Sequence, residues 1–130
     1  MAEHFEFTIE EREKVLNLYT ELKEKVAPSL EEYDEEHLRS HLLHAIEQDK
    51  VQRDAFGLNP IVTSLQTALL VLDEIGLKRD AVLAILLDPC VESGFITIDE
   101  VSTTYGLPVG RILHGLQRIQ ELYKKNPVIE

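Results

Sequence analysis

Residues 81–87 read AVLAILL, and the nature of this stretch decides the fold. A run this short and this apolar fits a buried parallel strand or a buried helix, and periodicity alone does not separate them. Ala81, Leu83, Ala84, Leu86 and Leu87 are good helix formers, and Asp80 sits where a helix start favours an acid, so a helix over about 78–91 is expected. Apolarity nearly all round places it at the centre of the domain, with amphipathic helices around it.

The flanking segments supply those helices. Upstream, Ile61, Leu65, Ala68, Leu69, Leu72 and Ile75 recur at helical spacing over about 61–75, with Gly76 as a C-cap. Downstream, Thr97 and Glu100 make a capping box for a short helix to about Thr104. Gly106 ends it, and Pro108 lies in the first turn of a last helix reaching about Lys124, with Ile112, Leu113, Leu116, Ile119 and Tyr123 inward. Lys124 and Lys125 suit its C-terminus. At the start of the chain Thr8 and Glu11 form a second capping box, with Phe7 and Arg12 as a partial staple. Val15, Leu18, Tyr19, Leu22 and Val26 give that helix one apolar stripe, closed by Pro28.

Ser29 and Glu32 then signal a helix from about 30 to 53, buried through Leu38, Leu42, Ala45 and Ile46. The run Glu31, Glu32, Asp34, Glu35, Glu36 at its start fits a solvated first turn or an acidic docking surface. Residues 54–60, DAFGLNP, read as a loop in which Gly57 permits a positive φ. The expected architecture is all-α, an irregular multi-helix bundle forming a single domain over 1–130.

Composition narrows the function classes. An apolar content of 44% against 28% charged is an ordinary globular balance rather than a disordered one. No apolar run reaches 18 residues and no basic leader precedes an apolar stretch, so neither a membrane span nor a signal peptide is expected. The single cysteine, Cys90, has no disulfide partner within the chain, which fits a reducing compartment such as the cytoplasm. A net charge of −11 opposes direct binding of DNA or RNA.

Two groups of residues are candidates for chemistry. His37, His41 and His44 share one side of a helix, as a zinc or first-row metal chelate requires; the alternative is partly exposed histidines bordering the core. Asp88 and Glu92 lie four residues apart and face the same way, so they can hold a divalent ion or share a proton. Pro89 between them lacks an N–H, so a kink or a helix end is expected there. Cys90 is expected to be a buried, inert thiol.

Three stretches carry a family resemblance: NPIVTSLQTALLVLDEIGL (59–77), AVLAILLDPCVESGFITIDEV (81–101) and STTYGLPVGRILHGLQRI (102–119). In order and spacing, from about Gln48 to Lys124, they resemble the N-terminal hydrolase domain of the RelA/SpoT family, which makes and degrades the bacterial alarmone (p)ppGpp. The resemblance implies an HD-type helical fold around a manganese site. By the resemblance, the family's metal-binding histidines fall near Asp49 and on Ser64, its histidine–aspartate pair on Asp88 and Pro89, and the glutamate–aspartate pair that positions water and substrate on Glu92 and Ser93; only Glu92 keeps its residue type. A substrate-contacting basic residue falls on Arg53, or on Asp54 if the loop gap is placed differently.

The resemblance therefore implies a degenerate hydrolase domain, an N-terminal fragment of a longer stringent-response protein, with the family's last metal-binding aspartate further downstream. Its expected role is regulatory or structural toward a (p)ppGpp synthetase (GTP pyrophosphokinase) domain of the parent, its intramolecular partner. No cofactor is expected. The alternatives are a residual phosphohydrolase using Asp49, Asp88 and Glu92 around Mn²⁺ or Mg²⁺, a guanine-nucleotide effector site, and a helical protein-interaction module.

Overall fold

The computed structural model of the protein describes residues 7–48, 51–54 and 56–125, with side chains to residue 122. Asp49, the Tyr123 and Lys124–Lys125 side chains and the tail after them lie outside the described residues. Six α-helices are described: α1 Ile9–Val26, α2 Asp34–Gln48, α3 Pro60–Leu70, α4 Arg79–Glu92, α5 Ile98–Tyr105 and α6 Leu107–Lys125. No strand occurs among the described residues. None of the described helices is long and apolar enough to cross a membrane.

The 81–87 stretch is helical, and α4 is the centre. Val82, Leu83, Ala84, Leu86, Leu87 and Cys90 are fully buried, and α4 packs against α2, α3 and α6. With apolar side chains on most of its circumference it has to be surrounded on several sides, which a bundle provides and a solvent-facing helix does not. Pro89 neither ends nor breaks the helix: it stands in the last turn, and Ser93 caps the end by donating its N–H to the Pro89 carbonyl at 3.0 Å. A missing N–H costs least near a terminus, where the ladder is closing anyway.

Both capping boxes form. Thr8 Oγ1 accepts from the Glu11 N–H at 3.0 Å while Glu11 Oε1 accepts from the Thr8 N–H at 2.9 Å, and Thr97 and Glu100 do the same. The staple is replaced by a cation–π contact, with the Arg12 guanidinium 5.9 Å from the Phe7 ring centre.

The second helix and its approach differ from expectation. The second helix begins at Asp34, not near residue 30, and ends at Gln48 rather than 53. Ala27–Ser29 form a 3₁₀ turn in which the Ser29 hydroxyl donates back to the Val26 carbonyl, so Ser29 caps nothing. Asp34 takes up the Glu31 N–H instead, at 2.8 Å, around a left-handed Tyr33 (φ 71°). The acidic run is accordingly only partly solvated, with Glu31, Glu32 and Glu36 exposed. Asp34 is only 3% exposed and paired to Arg79 Nε at 2.6 Å, and Glu35 accepts from the Tyr19 hydroxyl at 2.7 Å.

The third helix does not run regularly to residue 75. After Leu70 it opens into a π-turn, Val71–Ile75, closed by Gly76 in the left-handed region with its N–H on the Val71 carbonyl. The wider turn shifts the helical phase, leaving Ile75 66% exposed although a continuous α-helix would turn it inward. On α6, Ile112 and Leu116 pack on the core, but Ile119 is 52% exposed because the helix has passed the end of its supporting neighbours' core.

Candidate functional site

The C-terminal end of α4, the N-terminal half of α3, the 51–54 segment and the middle of α6 surround an open cleft of about 930 Å³. This is the size range of a small-molecule site. Each wall has a local cause. Asn59 Oδ1 accepts from the Ile61 N–H at 2.9 Å and Pro60 occupies the first turn, which starts α3 there and turns Thr63, Ser64 and Thr67 to the cleft. One turn of α4 presents Asp88, Pro89, Glu92 and Ser93. From α6 come Leu116 and Gln120.

Residues 51–54 and 56–58 are tied down by side-chain hydrogen bonds. Arg53 makes a two-pronged pair with Glu11 of α1, both N–O distances 2.6 Å, and also donates to the Gly57 carbonyl at 3.1 Å. Asp54 Oδ1 accepts from the N–H groups of Phe56 and Leu58 at 2.8 and 3.0 Å, closing an Asx-type turn. The Arg53 guanidinium holds the Glu11 carboxyl down to about 2, against an opposing push from burial.

Asp88 is the focus of the cleft. Its Oδ1 accepts from Gln117 Nε2 at 2.9 Å and its Oδ2 from Gln120 Nε2 at 3.0 Å, so both oxygens are oriented by amides from α6. Burial pushes its carboxyl above the usual range; the Gln120 and Gln117 amides pull it back, and the charge on Glu92 adds to the rise.

Of the positions singled out in the sequence, Arg53, Ser64, Asp88, Pro89, Glu92 and Ser93 all line this one cleft. The alternative position Asp54 lines it too, while Asp49 lies outside the described residues. The histidines are elsewhere. His41 Nδ1 lies 2.7 Å from the Tyr105 hydroxyl, His44 meets the Phe95 ring edge-on, and His37 sits between Tyr33 and Tyr105. Their row makes aromatic contacts at the border of the core. Burial pushes the His41 imidazole pKa down, and the neighbouring His37 adds to this.

Cys90 is buried on the α2 side of α4, its Sγ 3.9 Å from the His41 carbonyl, and burial pushes the thiol up to about 12. At that value the reactive thiolate is nearly absent at neutral pH, which makes it inert. Gln117, Gln120 and Glu11 were not legible as site residues: their partners stand 29 to 42 positions away in sequence.

The described lining does not suit a hydrolytic manganese centre. Among the described residues, no three His, Cys, Asp or Glu side chains are grouped so that they could hold a metal ion. Ser64 offers a hydroxyl whose proton goes to the Ile61 carbonyl at 2.9 Å, and Pro89 offers no ligand atom. Water activation by a divalent ion needs a set of anionic or imidazole ligands around an open position. No family model, no curated protein and no solved structure matches the chain.

Proposed function

We propose that this chain is a catalytically silent domain of the HD-hydrolase type, similar to that of RelA/SpoT proteins, with a regulatory or structural role toward a (p)ppGpp synthetase domain. One observation carries the reading. Positions chosen from the family resemblance, on segments up to 40 residues apart in sequence (Arg53 to Ser93), line a single cleft. Chance scatter over a bundle surface would divide them among faces. The chemistry of that cleft supports silence: Ser64 and Pro89 stand where imidazole and carboxylate ligands are needed, and Asp88 is engaged by two amides.

A silent site leaves the cleft wall and the helical surface as the working parts, and contacts with a synthetase domain are the role that fits. The test is (p)ppGpp hydrolysis by this chain with Mn²⁺ and in a metal-free control. The expected result is no turnover above the control. Manganese-dependent turnover that disappears in Glu92→Gln would replace this reading with a residual phosphohydrolase.

A further inference from the structure

Tyr105, the last residue of α5, is held at both ends. It is only 2% exposed. Its carbonyl accepts from Arg79 of α4 at 2.6 Å, and the same guanidinium pairs with the buried Asp34 of α2 at 2.6 Å. Its hydroxyl lies 2.7 Å from His41 Nδ1, and its ring centre is 5.8 Å from that of His41 and 6.1 Å from that of His37. Helix α5 has eight residues and packs chiefly on α6. Among the described residues, the Tyr105–His41 bond is what ties α5 directly to α2 through polar side chains.

The direction of that bond follows from the burial of the phenol. Burial pushes its pKa up, so the hydroxyl keeps its proton. Among the described residues that proton has one acceptor, His41 Nδ1. The hydroxyl therefore donates to Nδ1, and the neutral imidazole carries its own hydrogen on Nε2. A proton added at Nδ1 sets two donors face to face. The hydroxyl can then accept from the imidazolium only by turning its hydrogen to where no described group receives it.

The groups facing His41 do not offset this. On α2 stand His37 and His44, and on α5 Glu100 and Tyr105; Cys90 of α4 lies 3.9 Å from the His41 carbonyl. Burial chiefly, and then His37, disfavour the imidazolium, while Glu100 opposes them with a carboxylate already engaged at 2.8 Å in its own capping box. Cys90 keeps its proton and brings no charge, its thiol being pushed up to about 12. Arg79, at the carbonyl end of Tyr105, is balanced by Asp34. The neutral imidazole is thus favoured in place, and the contact weakens as pH falls below the ordinary value of 6.5 through the lowered one.

We propose that the His41–Tyr105 pair is an acid-opened latch: a proton taken up at His41 releases Tyr105 from α2 and loosens α5, while α3 and α4 stay folded. The inference goes beyond the silent-hydrolase reading and rests on the packing of α2 against α5. A helix of two turns has little stability of its own, so α5 frays once its packing is relaxed. Helix α6 stays in place because it packs extensively on the central α4.

The experiment is NMR spectroscopy of the full chain at about pH 7.5 and about pH 5.5, on either side of the imidazole range. The ring nitrogens of His41 should show the Nε2–H tautomer at the higher pH. Hydrogen-exchange protection of the α5 amides should fall about tenfold at the lower pH, with α3 and α4 changing less than about twofold. His41→Gln, whose amide oxygen accepts from Tyr105 without titrating, should abolish the fall. His114→Gln, at an exposed position of α6, should leave it intact.

An Nδ1–H tautomer, no fall in α5, the same fall in His41→Gln, or an equal fall in α3 and α4 would each overturn the latch. The tautomer is read without any substitution, so the proposal stays open to refutation if His41→Gln fails to fold. None of these outcomes bears on turnover, which the hydrolysis assay judges separately.

Discussion

Two clusters of titratable side chains adjoin α4, and they differ in what packing has done to them. On the α2 side, three histidines and a cysteine have residue types suited to metal chemistry, yet Tyr105, Tyr33 and Phe95 occupy the space around the imidazoles. Toward α3 and α6 there is open volume, but the described side chains around it are three carboxylates, hydroxyls, two glutamines, an arginine and apolar groups. One side has ligand-type side chains packed against aromatic rings, and the other a cavity whose described residues form no ligand set. Residue type at helical spacing shows which side chains share a face, and the neighbours then decide whether that face does chemistry.

The largest expected effect lies at the α5–α6 contact, beside the Tyr105 that packs on the histidine row. A Cβ at Gly110 would overlap the Ser102 hydroxyl and lie 3.1 Å from the Ser102 Cβ, so α5 and α6 touch there through a glycine. Gly110→Val should cost about 3 kcal/mol by overpacking, measured by urea denaturation. Adding Ser102→Gly should recover part of the loss. Full stability in the single variant would mean that the α5–α6 contact is not tight.

On the cleft side the largest effect belongs to the loop anchor. Arg53→Ala should cost about 1.5–3 kcal/mol, because it removes a charged two-pronged pair from largely covered groups. The pH dependence follows from the Glu11 carboxyl, held down to about 2 in the fold against 4.5 unperturbed. A lowered carboxyl adds stability that is fully present above the unperturbed value and is lost as pH falls through 4.5 toward 2. Acid unfolding followed by circular dichroism should therefore lose this part of its slope in Arg53→Ala.

A smaller effect is expected at the amide clamp. Gln117→Ala with Gln120→Ala should lower stability by about 1 kcal/mol and raise the Asp88 pKa further, since two bonds to its charged form disappear. NMR titration of the Asp88 carboxyl reads the shift, and an unchanged value would remove the clamp from the account. The smallest effect belongs to His41. Its lowered pKa makes the fold lose stability as pH falls through that pKa, because the neutral imidazole is favoured inside. His41→Gln should flatten the stability profile below the ordinary imidazole value of 6.5, measured by thermal unfolding.

The fold was legible where local chemistry determines it. Thr8–Glu11 and Thr97–Glu100 are self-contained capping signals, and AVLAILL could only be central. Ser29–Glu32 has the same pattern but failed, because Asp34 captures the Glu31 N–H around the left-handed Tyr33 and delays the helix. The π-turn at Val71–Ile75 changes the phase of a regular apolar repeat without altering its spelling. At the site, the resemblance selected the positions that converge, while the groups that hold Asp88 and Arg53 come from distant segments and leave no local trace.

The central claim is that the cleft has room for a ligand but, among the described residues, lacks the donors of a metal centre. Manganese binding by this chain, followed by the paramagnetic resonance signal of free Mn²⁺, tests it most directly. The account predicts no stoichiometric site at submillimolar metal, with Glu92→Gln indistinguishable from the parent. A one-to-one micromolar site weakened by Glu92→Gln or Asp88→Asn would contradict it.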